Sequence, residues 1–384
     1  MDTIDTKWIH GERFNVTYRI TAADNKIAQQ IAENICIEQT VEVPRSLIPA
    51  APIGNWIIGN IEQFTQQATD TYQAIISYPV ELAAGELPQL LNIILGNSSL
   101  IPSIRVDNVT LPPKLVAQFK GPRFGVAGWR KLLEAKSRPL LATAIKPVGL
   151  SIKSLVRLAY EMTLGGMDII KDDHGLTNQP FGLYAERVTQ VCAAVKRANM
   201  DTGGNTLYLP NITGPIEQLW ERAKLAKQEG AGGLLVAPGL LGFDTMRALA
   251  DDDTLALPIM AHPTFVGAFV ANPSHGISHG ILFGLLARLA GADATIFTNY
   301  GGRFAFSIED CVSIATSCLE PITGLKTILP VPAGGMTFER IPNLHQTYGL
   351  DVIYLIGGAL VEHSPDLVAN CRFFRELVQQ QVAQ

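Results

Sequence analysis

Eight short, uninterrupted apolar runs recur between residues 139 and 356, and they restrict this chain to very few architectures. They occupy 139–145, 167–170, 207–212, 233–237, 257–261, 294–297, 327–331 and 352–356. A run that is apolar throughout, not at alternate positions, suits a strand covered on both faces, as in a parallel sheet. Between most of the runs the spacing turns helical, as in 152–164, 216–229 and 281–290. Eight strand–helix repeats over roughly 240 residues predict a (β/α)8, or TIM, barrel. A doubly wound open sheet shows the same alternation and stands as the alternative, because closure is not written in local pattern.

The first 120 residues read differently. Residues 14–20 alternate as a half-buried strand does, 22–35 have helical spacing, and 89–95 form an apolar, helical stretch. Glu42-Val43-Pro44 and Tyr78-Pro79-Val80 mark extended or turn segments. Leu111-Pro112-Pro113 and Gly121-Pro122-Arg123-Phe124-Gly125 then form a joint. The expected organisation is an α/β protein with an α+β domain at 1–120 and a barrel at 121–384.

Composition removes several functional classes. At 384 residues the chain exceeds one compact core. Its 47% hydrophobic and 17% charged residues suit a globular protein with a large interior. The formal net charge of −5 and the absence of a basic run argue against nucleic acid as a partner. No apolar stretch has a membrane-spanning length, and the start MDTIDTKWIHGERF does not read as a signal peptide. Five cysteines without a CxxC pair fit a reducing, cytoplasmic setting.

Barrel enzymes place their chemistry at the C-terminal ends of the strands. The polar residues in that position are Lys146, Lys171-Asp172-Asp173-His174, Asn211, His262, 299–303, Gly334-Gly335 and Gly357-Gly358. Lys171 is a poor metal ligand as an ammonium, but CO2 converts an amine into a carbamate, an oxygen ligand. Lys171, Asp173 and His174 could then hold one divalent cation. Lys146, on the wall near that charge, is a candidate base. The plainer readings are a lysine snorkelling to the rim and an ordinary Lys171–Asp pair. Glycine pairs after the seventh and eighth runs let backbone amides approach a phosphate. His275 and His279 are four apart, but no third ligand lies nearby, and they read as structural residues at a helix start. Asp168, inside its strand, also reads as structural.

Several of these segments resemble the RuBisCO large-subunit family. Thr143-Ala144-Ile145-Lys146-Pro147 with Gly149-Leu150-Ser151 is similar to the motif around its catalytic lysine. Gly165-Gly166 through Lys171-Asp172-Asp173 is similar to its carbamylated-lysine segment, and Ala333-Gly334-Gly335 and Ile356-Gly357-Gly358 to its phosphate glycines. Leu95-Gly96-Asn97 resembles the stretch whose asparagine reaches a neighbouring subunit's site. The resemblance implies an N-terminal ferredoxin-like domain, a TIM barrel and a homodimer with shared active sites, open to higher assembly. It implies Mg2+, or a softer divalent metal, on a Lys171 carbamate with Asp173 and His174. Lys146 would move the proton, His262 would be the fifth-strand histidine, and Asn97, with Glu38 more loosely, would come from the partner.

The departures set the expected reaction. The third metal ligand should be a glutamate and is His174. A phosphate-binding arginine is replaced by Pro263, a sixth-strand histidine by Ile296, and a serine by Ala333. All three losses fall on one phosphate site, while Gly334, Gly335, Gly357 and Gly358 keep the other. Arg303 stands where the sixth loop carries a lysine, and the second lysine of the first motif is missing. The resemblance is therefore to a non-carboxylating RuBisCO-like protein acting on a monophosphate. Losing one negative charge at the metal favours a substrate that brings a carboxylate. The expectation is decarboxylation of 3-oxo-isoapionate 4-phosphate, with Lys146, His262 and Arg303 as catalytic groups. The alternatives are a transcarboxylase/hydrolase on that substrate, a methionine-salvage enolase or isomerase acting on a 2,3-diketo-5-methylthiopentyl-1-phosphate type of compound, and a non-catalytic scaffold.

Overall fold

The computed structural model describes residues 11–48, 53–302, 304 and 306–382. The first ten residues, with His10, and Arg303 lie outside the described residues. The chain divides into two compact units, 1–119 with 266–282, and 120–265 with 283–384.

In the first unit, strands β1 (Arg13–Thr21), β2 (Asn60–Ala68), β3 (Thr71–Pro79) and β4 (Ile104–Thr110) are joined by a later strand, β10 (Gly276–Ile277). The sheet order is β10-β4-β1-β3-β2. β1 buries Phe14, Val16, Tyr18 and Ile20, the period-2 face legible in the sequence. The helix after it runs Asn25–Glu38, starting later than its spacing alone implies because Asp24 caps it by accepting from the Ile27 N–H at 2.8 Å. The second helix is Leu87–Leu95. Two helices on a β4-β1-β3-β2 antiparallel sheet make the ferredoxin-like arrangement. β10 adds to it in parallel, Gly276 opposite Arg105. The Arg105 guanidinium donates to the carbonyls of Asn272 and His275 at 2.7 and 3.0 Å. The expected helix start at 275–279 is met only at its last residue: a strand separates the two histidines, and helix begins at His279.

The second unit holds β5 (Leu140–Ile145), β6 (Ile169–Asp172), β7 (Leu207–Leu209), β8 (Leu234–Val236), β9 (Ile259–Ala261), β11 (Ala294–Thr298), β12 (Leu329–Ala333) and β13 (Ile353–Leu355). Each overlaps one of the eight apolar runs, with β6, β11 and β12 continuing one or two residues past the end of theirs. All pair in parallel, in the order β7-β6-β5-β13-β12-β11-β9-β8. The two ends of that order meet at a parallel bridge between Asn211 and Leu235. There the Ile212 N–H donates to Leu235 O at 3.1 Å and the Leu235 N–H to Pro210 O at 3.0 Å. The barrel closes and the open-sheet alternative falls away.

Leu140, Ala142, Ile169, Leu209, Leu235, Met260, Ile296, Val331 and Ile353 fill the interior, with Trp129 among them. Two buried carboxylates tie the strand N-termini. Asp168 accepts from Arg138, Arg375 and the Leu141 N–H. Asp293 accepts from the N–H groups of Phe124, Gly125 and Ile259 at 2.6–3.0 Å. The structural reading of Asp168 holds. The helix Ile152–Leu164 runs between β5 and β6, with Ser151 accepting from the Ser154 N–H as its cap. Among the described residues no helix is long and apolar enough to cross a membrane.

Candidate active site

Strand alternation builds the site. The side chains that point into the barrel recur every second residue. Continuing each interior row one or two steps past the strand end gives the mouth. Ala142 leads through Ala144 to Lys146, Ile169 to Lys171 and Asp173, Met260 to His262, Val331 through Ala333 to Gly335, and Leu355 to Gly357. The expected barrel-site residues, Arg303 aside, therefore sit together at the C-terminal ends of the strands for a local reason.

The same alternation separates two adjacent aspartates. Asp172 faces outward and is fully buried. It accepts from Tyr208 Oη at 2.7 Å, the Asn211 N–H at 3.0 Å and Arg187 at 3.2 Å. Burial raises its pKa, and Arg187 opposes that shift. Asp172 is an anchor that holds the strand end in place. Asn211, a strand-end residue without an assigned role in the sequence reading, braces the next loop: its Nδ2 donates to the carbonyls of His174 and Leu176 at 2.9 and 3.0 Å.

Lys171 is buried, and its ammonium donates to Asp172 O at 3.0 Å. Burial lowers its pKa to about 8, with Asp173 and Asp172 opposing and Lys146 adding to the fall. An appreciable share of the amine is therefore neutral and nucleophilic near neutral pH. Asp173 Oδ1 accepts from the Gly175 N–H at 3.0 Å and lies 3.3 Å from His174 Nδ1. Two adjacent ligands of one octahedral ion at 2.0–2.1 Å stand about 3 Å apart, so this pair has the spacing of neighbouring donors. Among the described residues no three His, Cys, Asp or Glu side chains gather for a metal. Lys171 is at the same strand end as Asp173 and His174, and a carbamate on it would add the oxygen donor that a divalent-cation site there needs.

The His174 and His262 rings stack, with centroids 4.6 Å apart and planes at 13°. Burial, then the charges of Lys171 and His174, hold the His262 pKa far below its ordinary 6.5, so the ring is neutral. Lys146 is half-buried, and its Nζ rests on Gly357: a Cβ there would lie 2.7 Å from it. That contact places the Lys146 ammonium at the start of the loop after β13. Gly334 and Gly335 both have left-handed backbones, at φ +76° and +75°. A side chain on Gly335 would meet Gly302 Cα at 2.5 Å, so the loops after β11 and β12 pack backbone to backbone. Arg340 spans them, donating to Gly335 O at 3.1 Å and Tyr300 O at 2.7 Å.

Pro263 and Ala333 offer no side-chain donor, and Ile296 is buried in the barrel core. Val148 was missed by the sequence reading. Its Cγ2 and Asp173 Oδ1 both flank Gly175, where an added side chain would meet them at 3.2 and 3.4 Å. Its place two residues after Lys146 was the available signal. In the first unit, Asn97 Nδ2 donates to Glu38 at 3.0 Å and Glu42 at 2.8 Å.

Comparison with known proteins agrees with this geometry. Residues 125–382 match the family described as ribulose bisphosphate carboxylase large chain, catalytic domain. The 5-methylthioribulose-1-phosphate isomerase of Rhodospirillum rubrum is 40% identical over 91% of this chain and 92% of its own. The 2,3-diketo-5-methylthiopentyl-1-phosphate enolase of Bacillus pumilus is 30% identical over 94% of this chain and 90% of its own. The crystal structure of a Rubisco-like protein from Rhodopseudomonas palustris superposes with a TM-score of 0.87 at 38% identity, covering 96% of this chain and 98% of that one.

Proposed function

The chain belongs to the ribulose bisphosphate carboxylase large-chain family, and from that premise we propose that it is a non-carboxylating isomerase or enolase of a phosphorylated keto sugar. The observation that carries this is the asymmetry of the mouth. Gly334, Gly335, Gly357 and Gly358 leave backbone open to a phosphate, while Pro263, Ile296 and Ala333 carry no side-chain donor for a second one. A single-phosphate substrate fits that layout. The isomerase and enolase relatives above carry the names of monophosphates.

A divalent cation held by a Lys171 carbamate, Asp173 and His174 would polarise the substrate carbonyl and stabilise the negative charge forming on its oxygen. Lys146, beside the phosphate cradle, takes the proton from the carbon next to that carbonyl. Its electron pair moves to the oxygen, giving the enolate. Return of the proton to the former carbonyl carbon, with the proton of the adjacent hydroxyl passing to the former carbonyl oxygen, completes an isomerisation; protonation of the oxygen alone gives an enol. Neutral His262 contributes an N–H donor to the developing oxyanion.

The decarboxylase expectation is the weaker reading. The relatives above carry the names of an isomerase and an enolase, and neither is named a decarboxylase. The test is incubation with 5-methylthioribulose 1-phosphate in D2O, followed by NMR. Deuterium should enter at the carbon next to the carbonyl, and 3-oxo-isoapionate 4-phosphate should yield no CO2. The opposite pair of results installs the decarboxylase.

The proposed assembly is a homodimer in which Asn97 completes the partner's site. Mixing inactive Lys146→Ala and Asn97→Ala chains tests it. Random pairing makes half the dimers mixed, each with one intact site, so about a quarter of the parent activity returns. No recovery after verified subunit exchange rules out a shared site.

A further inference from the structure

His262-Pro263-Thr264 leaves the family pattern at Pro263, and its geometry bears on the histidine before it. The Thr264 backbone N–H donates to His262 Nδ1 at 3.2 Å, and Thr264 Oγ1 is 2.6 Å from the same nitrogen. A backbone N–H can only donate, so Nδ1 is the accepting nitrogen of the ring. The proton of a neutral imidazole then sits on Nε2. This is the histidine counterpart of an Asx turn, in which a side chain accepts from the N–H two residues on. Proline between the two fixes its φ and has no N–H of its own to compete for the ring. The next residue, Phe265, is held at φ +74°, a backbone region that disfavours a bulky side chain. The turn is therefore tightly specified by its surroundings.

We propose that His262-Pro263-Thr264 is a tautomer clamp that presents His262 to the substrate as a fixed Nε2–H donor, with Thr264 as the positioning residue. The arginine-to-proline change does more than remove a phosphate ligand. It converts the loop after β9 into a device that sets which ring nitrogen faces the reacting oxygen. The far side of the ring is fixed by the stack on His174. A donor at Nε2 binds an oxygen that gains negative charge and cannot take a proton from carbon. Proton transfer is then left to Lys146. The identity of that oxygen, in a phosphorylated keto sugar, rests on the isomerase reading; the tautomer does not.

The clamp is tested by NMR on protein labelled with 15N-histidine, without substrate, the His262 signals being assigned with His262→Gln. The expected spectrum has a protonated, pyrrole-type Nε2 and an unprotonated, pyridine-type Nδ1. Thr264→Val removes the hydroxyl and keeps the shape. It also keeps the backbone N–H, so Nε2 should stay the protonated nitrogen, while loss of the Oγ1 contact should lower kcat about tenfold, with KM changed less than about twofold, as loss of an orienting partner does. Thr264→Ser should restore kcat. A protonated Nδ1 in the parent protein overturns the clamp. So does Thr264→Val with full kcat. Failure of the isomerase reading alone would leave the resting spectrum as expected.

Discussion

Lys146→Met should lower the exchange of the substrate's carbon-bound proton with solvent by about 1,000-fold, with KM changed only a few-fold. General base catalysis by a positioned side chain contributes roughly 100- to 10,000-fold, and no other group takes its place: His262 is neutral with its free lone pair already engaged by Thr264. Methionine keeps the length and apolar stem that pack along the wall and removes the amine resting on Gly357. Deuterium incorporation measured by NMR in D2O separates this from a binding defect. If Lys146→Met still exchanges the proton at more than a tenth of the parent rate, another base does the work.

Removing CO2 should silence the enzyme almost as completely. Protein stripped of metal and held in CO2-free buffer should regain activity only when bicarbonate and Mg2+ are added together, and Lys171→Ala should not regain it at all. The pH dependence has a definite sign. Burial pulls the Lys171 pKa down to about 8, and only the neutral amine attacks CO2. At fixed dissolved CO2, the rate of activation should therefore rise about tenfold from pH 6 to 7, continue rising through pH 8, and level off above it. A rate that is flat over this range, or Lys171→Ala that binds Mn2+ and turns over normally, would falsify the carbamate.

How much of this was legible beforehand differs from residue to residue. The eight strands were, because a strand buried on both faces is apolar at every position, and that signal is local. The mouth residues were, because a period of two carries an interior row past the end of its strand. The helix Ile152–Leu164 was, because its serine cap and apolar stripe both lie within it. What failed were places where a distant segment decided. The turn at 275–279 looked like a helix start, but Arg105 and β4 draw it into the N-terminal sheet as β10. Between the reactions weighed, the names of the relatives favour the isomerase or enolase alternative over the decarboxylase, a choice that the charge lost at His174 does not make by itself.

The sequence by itself determined the strand–helix alternation, the side chains at the strand ends and the glycine pairs after the last two strands. Each follows from residues near one another in the chain. Only the tertiary structure decided that the sheet closes, through Asn211 and Leu235, since closure joins strands with no local signal of their partner. It also decided that Asp173 faces the barrel while Asp172 is locked outside by Arg187 and Tyr208. Two adjacent carboxylates are chemically equal in a sequence. The pleat turns them to opposite faces, and the neighbours on each face make one an anchor and the other a candidate ligand.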